Sequence, residues 1–206
     1  MYAIVADGHD MVVYGTSLVV SRTYNSARID AARDSDVLLS KVDSCQPDLL
    51  IFDLLLPGEA RNTDLIRQAR SYAPHSRIII QTSCTAPLAI EASLQAGADG
   101  FVRKDHGVRE LLRALRSTQR GKIYIPSGAM EQALGHPWKM LTASEKHVLV
   151  ALANGITLPS LAESTGRAYK TVANQKYAAL EKLGQPNSLD LRGYLVESGL
   201  SHLVSD

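Results

Sequence analysis

The sequence predicts an α/β fold, a doubly wound five-stranded parallel sheet, followed by a small all-α domain of four helices. Two observations lead to this prediction. Up to about residue 120, short apolar segments alternate with longer segments of helical periodicity, a pattern typical of parallel strands joined by crossover helices. From Leu141 onward the periodicity is helical only. We therefore expect one domain at 1–120, a linker at 121–138 and a second domain at 139–206.

Composition narrows the class of protein. The chain has 206 residues, of which 45% are hydrophobic and 21% are charged, so two domains can each bury a core. Its net charge of +1 creates no overall field that would draw it to a membrane or to nucleic acid. It has no apolar run of the roughly 20 residues that span a membrane, and no signal peptide before the first strand. We therefore expect a cytoplasmic protein without a membrane partner.

The cysteines and histidines show no metal-binding pattern. Cys45 and Cys84 lack both zinc-ligand and CxxC spacing, which fits a reducing compartment. Cys84 follows the fourth predicted strand and has two interpretations, a redox-active group beside a functional site or a plain buried thiol. The histidines lie far apart in sequence, without the spacing of zinc ligands.

The first domain contains five strand–helix repeats. The third and fourth strands are apolar or β-branched, which predicts that they lie in the centre of the sheet. Gly97 is expected to end the fourth helix, and Asn62 or Thr63 is expected to cap the start of the third. The predicted strands lie near 2–6, 27–31, 48–53, 77–82 and 100–103, and the predicted helices lie near 10–23, 34–44, 63–73, 86–97 and 107–120.

Glycines separate the helices predicted after the linker. Thr142 and Glu145 match a capping box, in which each side chain accepts a backbone N–H of the other residue. Gly166 lies in the tight turn between two short helices, an arrangement typical of a helix-turn-helix. The predicted helices lie near 142–154, 159–165, 169–183 and 188–197, and a short helix near 129–134 interrupts the linker.

Two acidic residues follow buried strands of the first domain. Asp53 comes directly after the apolar run Leu49–Phe52, and Asp7 comes directly after the first strand. Such a carboxylate is costly to bury unless it meets a partner or takes part in chemistry. Because ligands bind at the carboxyl ends of the strands in open parallel sheets, we predict a functional site around Asp53 and Asp7.

Thr82 ends the fourth strand and Lys104 follows the fifth, so that an Asp, a Thr and a Lys occur in order at three strand ends. With this order, and with Pro57 four residues after Asp53, the first 120 residues resemble the CheY-like receiver domain of two-component response regulators. The tail resembles the LuxR/FixJ-type (NarL-type) helix-turn-helix domain, and its segment 170–184 is most similar to regulators of the Rcs type. The resemblance covers nearly the whole chain.

The resemblance implies that Asp53 accepts a phosphoryl group, with a sensor histidine kinase as partner. An aspartate attacks a phosphoryl donor when nearby cations offset the negative charge, and Lys104 is one such cation. The other is Mg²⁺, for which the resemblance implies three ligands, namely the carboxylates of Asp7 and Asp53 and the backbone carbonyl of Leu55.

Two further residues are implied to act as the switch. The phosphorylated carboxylate would attract the hydroxyl of Thr82 together with the ammonium of Lys104. This movement would reposition Phe101 and repack the face formed by the fourth helix, the fifth strand and the fifth helix.

Gly8 departs from the family pattern, in which two adjacent acids follow the first strand. Here only Asp7 is acidic, and the missing carboxylate should weaken Mg²⁺ binding. Three interpretations are open. The receiver is phosphorylated poorly or not at all; it is still phosphorylated because Asp10 or water compensates; or Gly8 is an engineered or unimportant change.

The predicted helix 169–183 has an apolar side and a polar side. Val172, Ala179 and Leu180 share the apolar side, which we expect to pack against the other helices. From residue 126 onward the chain has 7 Lys or Arg and 7 acids, so a solvated polar face is the alternative to a DNA-binding face. With the resemblance, the residues expected to contact double-stranded promoter DNA are Lys170, Thr171, Ala173, Asn174, Lys176 and Tyr177.

One helix-turn-helix makes few base contacts, so we expect a two-fold dimer on two half-sites. The resemblance implies a dimer surface on the last helix, at Leu189, Leu191, Tyr194 and Leu195, and packing within the core is the alternative role of these side chains. Ala168 replaces the family's capping Ser before the DNA-binding helix. We expect a promoter-binding regulator, not an enzyme; the alternative is an interaction module that forms heterodimers with another regulator or a kinase.

Overall fold

The computed structural model describes residues 1–185 and 190–204. These residues form two compact units. The first consists of Met1–Thr85 and Ala89–Met130, and the second consists of Ala86–Leu88 and the described residues from Glu131 onward. Each unit has a buried hydrophobic core of its own.

A five-stranded parallel sheet forms the centre of the first unit. Its strands are β1 (Tyr2–Ala6), β2 (Arg28–Ala32), β3 (Leu49–Phe52), β4 (Arg77–Thr82) and β5 (Gly100–Arg103). The order across the sheet is β2-β1-β3-β4-β5, which confirms the predicted α/β fold and places β3 in the middle. Every strand end lies within one residue of its predicted position.

Helices connect and follow these strands. On the last of them, Leu111, Ala114 and Leu115 recur at helical spacing and pack with buried side chains of β1, β3, β4 and β5. A short 3-10 turn, Lys104–His106, precedes this helix. The helices are α1 (Asp10–Thr23), α2 (Ser35–Cys45), α3 (Asn62–Tyr72), α4 (Ala89–Gln95) and α5 (Gly107–Gln119).

The predicted cap of α3 is wrong. The residue before the helix is Arg61, which makes no capping hydrogen bond through its side chain. Asn62 is already the first helical residue and has a φ of 50°, a left-handed conformation that Asn tolerates better than most residues. Thr63 is buried in the first turn. Helix α3 therefore begins with a left-handed residue and without a side-chain cap.

Helix α4 is shorter than predicted. It covers Ala89–Gln95 rather than 86–97. At its start, Pro87 disfavours the helical conformation of the residue before it. At its end, Gly97 has a φ of 112°, which agrees with the expectation that this glycine ends the helix.

From Leu141 onward the described chain is helical, as predicted, whereas Tyr124 in the predicted linker forms an isolated parallel bridge with Gly100. Gly166, with a φ of 64°, ends one helix in the left-handed conformation and lets the chain turn into the next. No helix in the described part of the chain is both long enough and apolar enough to cross a membrane. The helices are α6 (Ala129–Leu134), α7 (Ala143–Ala153), α8 (Leu158–Thr165), α9 (Tyr169–Lys182) and α10 (Leu191–Glu197), with 3-10 turns at Pro137–Met140 and Ser201–Leu203.

The last helix was expected at 188–197, and its first residues, including Leu189, lie outside the described residues. Within the described part, α10 begins at Leu191. Leu195 is fully buried in the core of the second unit, and Leu191 and Tyr194 are half-buried against it. Packing within the chain therefore accounts for the side chain of Leu195.

Glu145 fixes the start of α7 and ties it to α9. The capping box is present: Oγ1 of Thr142 accepts the N–H of Glu145 at 3.3 Å, and the Glu145 carboxylate accepts the N–H of Thr142 at 2.7 Å. The ammonium of Lys182 donates to both oxygens of the same carboxylate, at 2.8 and 2.7 Å. The hydrogen bonds from Lys182 and from the Thr142 backbone lower the pKa of Glu145.

Glu145→Ala should reduce the free energy of unfolding of the second unit by about 1–2 kcal/mol, because it removes the cap and the partner of Lys182. Chemical denaturation of the full chain at neutral pH measures this loss, and Glu163→Ala, at an exposed position of α8, is the control. Because the folded pKa of Glu145 is lowered, its contribution is present above the unfolded pKa and disappears as the pH falls through the folded pKa. If the wild-type and Glu145→Ala proteins are equally stable at neutral pH, or if their difference in stability persists in acid, this account is contradicted.

Candidate functional site

The carboxyl ends of three strands bring the predicted site residues together. Asp7 follows β1, Asp53 follows β3 and Lys104 follows β5. Nζ of Lys104 lies 2.6 Å from Oδ2 of Asp7 and 2.6 Å from Oδ2 of Asp53. The two aspartates are only 2% and 5% exposed. Lys104 therefore bridges two buried carboxylates along this edge of the sheet.

Backbone N–H groups hold the other oxygen of each carboxylate. Oδ1 of Asp7 accepts the N–H of His9 at 2.9 Å, and Oδ1 of Asp53 accepts the N–H of Leu55 at 3.1 Å. In both turns the donor lies two residues after the aspartate, as in an Asx turn. Nδ1 of His9 also lies 3.0 Å from Oδ1 of Asp7. Each aspartate thus has one oxygen fixed by its own turn and the other fixed by Lys104.

The bridge determines the charge of the site. Burial disfavours the charged ammonium of Lys104, but hydrogen bonds to Asp53 and Asp7 outweigh this effect, so the pKa of Lys104 is raised above its ordinary value. Two carboxylates and one ammonium leave one net negative charge. Removing one partner of such a buried pair leaves an uncompensated charge and is strongly destabilising.

The two predicted switch residues are buried on neighbouring strands. Thr82 is fully buried at the end of β4, and its Oγ1 accepts the N–H of Cys84 at 3.2 Å. Phe101 is 1% exposed in β5, where it pairs in register with Ile80 of β4. Within residues 1–185 and 190–204, no hydrogen bond joins the Thr82 hydroxyl to Asp53.

The residues around Asp53 offer Mg²⁺ only two carboxylates, those of Asp7 and Asp53. Magnesium requires near-octahedral oxygen coordination, and both available carboxylates, those of Asp7 and Asp53, direct an oxygen at the ammonium of Lys104. No group of three His, Cys, Asp or Glu side chains in the described part of the chain is arranged to hold a metal ion. Leu55, whose carbonyl the resemblance implies as a ligand, is 56% exposed and donates its N–H to Asp53.

Gly8 leaves space where the family has its second acid. A Cβ at this position would meet Cδ of Pro57 at 3.8 Å as its nearest neighbour, an ordinary van der Waals distance. Asp10, one of the groups considered as compensation, instead forms an ion pair with Arg33, with Oδ1 2.8 Å from the guanidinium. Asp10 therefore gives no support to the interpretation in which it replaces the missing ligand.

Two residues near the site, His9 and Arg33, were not among the predicted site residues. The contact of His9 with Asp7 could have been predicted from the sequence, because an aspartate side chain commonly accepts the N–H of the residue two positions later. The contact of Arg33 with Asp10 could not, because the approach of these two residues depends on the pairing of β1 with β2.

Helix α9 shows the two sides that the sequence predicts. Val172, Ala179 and Leu180 are buried. Nζ of Lys176 lies 5.3 Å from the centroid of the Tyr177 ring, a distance typical of a cation–π contact. Of the predicted DNA-contacting residues, those exposed are Lys170, Thr171, Asn174 and Tyr177, and those half-buried are Ala173 and Lys176.

The start of α9 has no side-chain cap. Ala168 occupies the capping position and makes no side-chain hydrogen bond there, as its methyl group requires. Such a missing cap costs about 1 kcal/mol of helix stability.

A comparison with known protein families agrees with this geometry. The family model described as the response regulator receiver domain matches residues 3–116, more than half of the chain. The chain belongs to this family. The matched segment contains β1 to β5, and with them Asp7, Asp53, Thr82 and Lys104 of the receiver.

Relatives that match over nearly their whole length extend the likeness beyond the receiver. The transcriptional regulatory protein RcsB of Escherichia coli K12 is 29% identical, over 100% of this chain and 99% of the relative. A structure of the Salmonella typhimurium RcsB response regulator is similar with a TM-score of 0.72 and 28% identity, over 95% of this chain and 99% of that one. A structure of two RcsB dimers bound to two parallel DNAs has a TM-score of 0.70 and 28% identity, over 96% and 98%. The chain is thus an RcsB-like transcriptional response regulator.

Replacing Gly8 with Asp should raise the Mg²⁺ affinity of the receiver by at least about tenfold, because a third carboxylate adds a ligand for Mg²⁺ and helps the metal to compete with the Lys104 ammonium. A Cβ at Gly8 would meet Cδ of Pro57 at 3.8 Å, so the backbone there accepts a side chain. Titration calorimetry with Mg²⁺ measures the effect, and Gly8→Asn is the matched control of equal shape without the charge. Equal Mg²⁺ affinity of the wild-type and Gly8→Asp proteins would show that Gly8 is not the missing ligand position.

Proposed function

We propose that this chain is a transcriptional response regulator that binds promoter DNA as a dimer through α9, and that its receiver acts largely without phosphorylation of Asp53. The observation that carries the first part is the exposed polar face of α9, which follows the tight turn at Gly166. We assign receiver, linker and DNA-binding domains to 1–120, 121–138 and 139–206. The place of action is the cytoplasm, where bacterial promoter DNA lies.

The side chains on this face have the chemistry that DNA recognition needs. An amide can bond both N6 and N7 of adenine, and a methyl group can contact the methyl group of thymine. Ammonium groups bind phosphate or guanine, and hydroxyl groups bond phosphate oxygens. Here Asn174 supplies the amide and Ala173 the methyl group. Lys170 and Lys176 supply the ammonium groups, and Thr171 and Tyr177 supply the hydroxyl groups.

Similarity to RcsB supports the DNA-binding role and the dimer. Similar structures include a two-component response regulator RcsB–DNA complex, which shares 28% identity with this chain and covers 96% of it. Another contains RcsB dimers on DNA. Because a single helix-turn-helix reads few bases, a homodimer on two half-sites is the expected arrangement.

The geometry around Asp53 supports a receiver in which Asp53 is phosphorylated poorly or not at all. In the receiver family, Lys104 and a Mg²⁺ would together offset the charge of an incoming phosphoryl group. Here Lys104 is already shared between Asp7 and Asp53, and Gly8 supplies no acid for a metal. A sensor histidine kinase is therefore a weaker candidate for the controlling partner than a second regulator.

A second candidate function is that of an interaction module that forms heterodimers with another regulator or a kinase. One observation favours it: Met11, Tyr14 and Leu18 on α1 are 80%, 67% and 41% exposed. Their spacing places them on one side of the helix. Apolar side chains grouped in this way are typical of a surface that binds another protein.

Lys170→Ala with Lys176→Ala should weaken promoter binding by about tenfold or more, because two phosphate- or base-contacting cations are lost. A gel-shift assay at several salt concentrations measures the effect, and Lys146→Ala on α7 is the control. If the double variant shifts DNA as the wild-type protein does, α9 is not the DNA-binding face. If no promoter fragment shifts with the wild-type protein, the interaction module is favoured instead.

Acetyl phosphate or beryllofluoride with Mg²⁺ should leave the wild-type protein almost unmodified and its DNA affinity unchanged, because Gly8 leaves the site without a second acid beside Asp7. Intact mass, sedimentation and DNA titration of the treated protein measure adduct, dimer and affinity. Asp53→Asn is the control without an acceptor carboxylate; once circular dichroism shows that it is folded, it should give no adduct at this position. A clear phospho-adduct together with tighter DNA binding would contradict the proposal.

A further inference from the structure

One side of α5 carries a row of arginines, which we call the basic row: Arg109, Arg113, Arg116 and Arg120. They are spaced by four, three and four residues, so on a helix of 3.6 residues per turn they lie within an arc of about 60°. Arg120 directly follows the helix as its C-cap residue. All four residues are exposed. The opposite side of the helix contains the buried residues Leu111, Ala114, Leu115 and Thr118.

Most of this charge has no partner within the chain. Arg113 forms an ion pair with Glu110, with the guanidinium 2.6 Å from Oε1. Across residues 1–185 and 190–204, no carboxylate lies within ion-pair distance of Arg109, Arg116 or Arg120. Three exposed cations on one side of a helix are therefore available to an external anion.

The basic row lies in the most positively charged segment of the chain. Residues 103–122 contain 7 Lys or Arg and 2 acids. Because the whole chain contains 22 Lys or Arg and 21 acids, the remaining residues contain 15 and 19. From residue 126 onward, the segment that includes α9, the numbers are 7 and 7. The excess positive charge thus lies in the segment 103–122, since residues 1–125 as a whole contain 15 Lys or Arg and 14 acids.

We propose that the basic row binds the phosphate backbone of DNA, as a contact surface of the receiver in addition to α9. This inference rests on the proposed DNA-binding function and adds a second contact surface to it. Affinity for DNA comes largely from neutralised phosphates, and the helical domain has no net positive charge beyond the local contacts of Lys170 and Lys176. The row is about 16 Å long at 1.5 Å per residue, which is long enough to follow several phosphates of one strand.

The composition of the row fits phosphate better than a protein surface. Guanidinium groups bind phosphate oxygens through a planar fork of donors. No large apolar side chain is exposed among the described residues between Arg109 and Arg120. Protein interfaces usually contain such side chains at their centre, whereas DNA interfaces are polar and positively charged. Phosphate contacts carry no sequence information, so the row should strengthen binding to all DNA sequences alike.

The salt dependence of DNA binding by the full chain tests this proposal. The probe is a long random-sequence duplex, and the triple variant changes Arg109, Arg116 and Arg120 to Gln. The slope of log K against log salt concentration should become shallower by about 2 to 3, with at least about a tenfold loss of affinity at low salt. The matched triple Lys variant should keep the wild-type slope, and Arg22→Gln, at an exposed position of α1, should have no effect.

The outcomes separate this inference from the function on which it rests. If the folded triple Gln variant keeps the wild-type slope, the basic row does not bind phosphate. The same conclusion follows if the triple Lys variant loses as much DNA affinity and salt slope as the triple Gln variant. If Lys170→Ala with Lys176→Ala abolishes binding while the Gln variant keeps its slope, only the role of the row is overturned. If the wild-type protein binds no DNA, the proposed function fails as well. Circular dichroism confirms that each variant is folded.

Discussion

The ion pairs of Lys104 with Asp7 and Asp53 are the interaction on which the site depends. Two nearly buried carboxylates lie side by side because β1 and β3 are neighbours in the sheet, and each would be costly without a positive partner. Lys104, directly after β5, supplies that partner for both. The turns after β1 and β3 fix the remaining oxygens through backbone N–H groups. The resting site is thus a closed, hydrogen-bonded arrangement in which one ammonium lies between two acids.

This arrangement changes what the receiver can do. In a receiver with a second acid, a metal ion and the lysine share the task of offsetting charge, whereas here the lysine is the cation in place. The chain therefore has the fold of a receiver, with Asp53 where the resemblance places the phospho-acceptor and Gly8 in place of one acid. Its distribution of charge is also uneven, since the receiver contains the basic row and the helical domain has equal numbers of cations and acids. Under the proposal made for the basic row, the receiver contributes to DNA affinity directly.

Much of the fold was predictable, because local patterns and tertiary structure agree. Apolar runs located all five strands to within one residue, and the capping box at Thr142 located α7. Asp7, Asp53 and Lys104 were predictable as a group, because carboxyl ends of parallel strands share one edge. The cap of α3 was not predictable, because Asn62 takes a left-handed conformation that the chain around it imposes. The contact between Lys104 and Asp7 was also missed, since it depends on the path of a long side chain across three strands. The roles of these site residues in function stay predictions.

The most direct test of the central claim is the titration of the Lys104 ammonium, followed by NMR of its Nζ. The account predicts a slowly exchanging signal that stays protonated above the pH at which ordinary lysines titrate, because hydrogen bonds to Asp53 and Asp7 raise the pKa of Lys104 despite its burial. Stability from the bridge should accordingly be full below the unfolded pKa and disappear as the pH rises through the folded pKa. The slow exchange of the Lys104 ammonium should be lost in both the Asp7→Asn and the Asp53→Asn proteins. An ammonium that exchanges and titrates as an exposed lysine does in the wild-type protein would contradict the account.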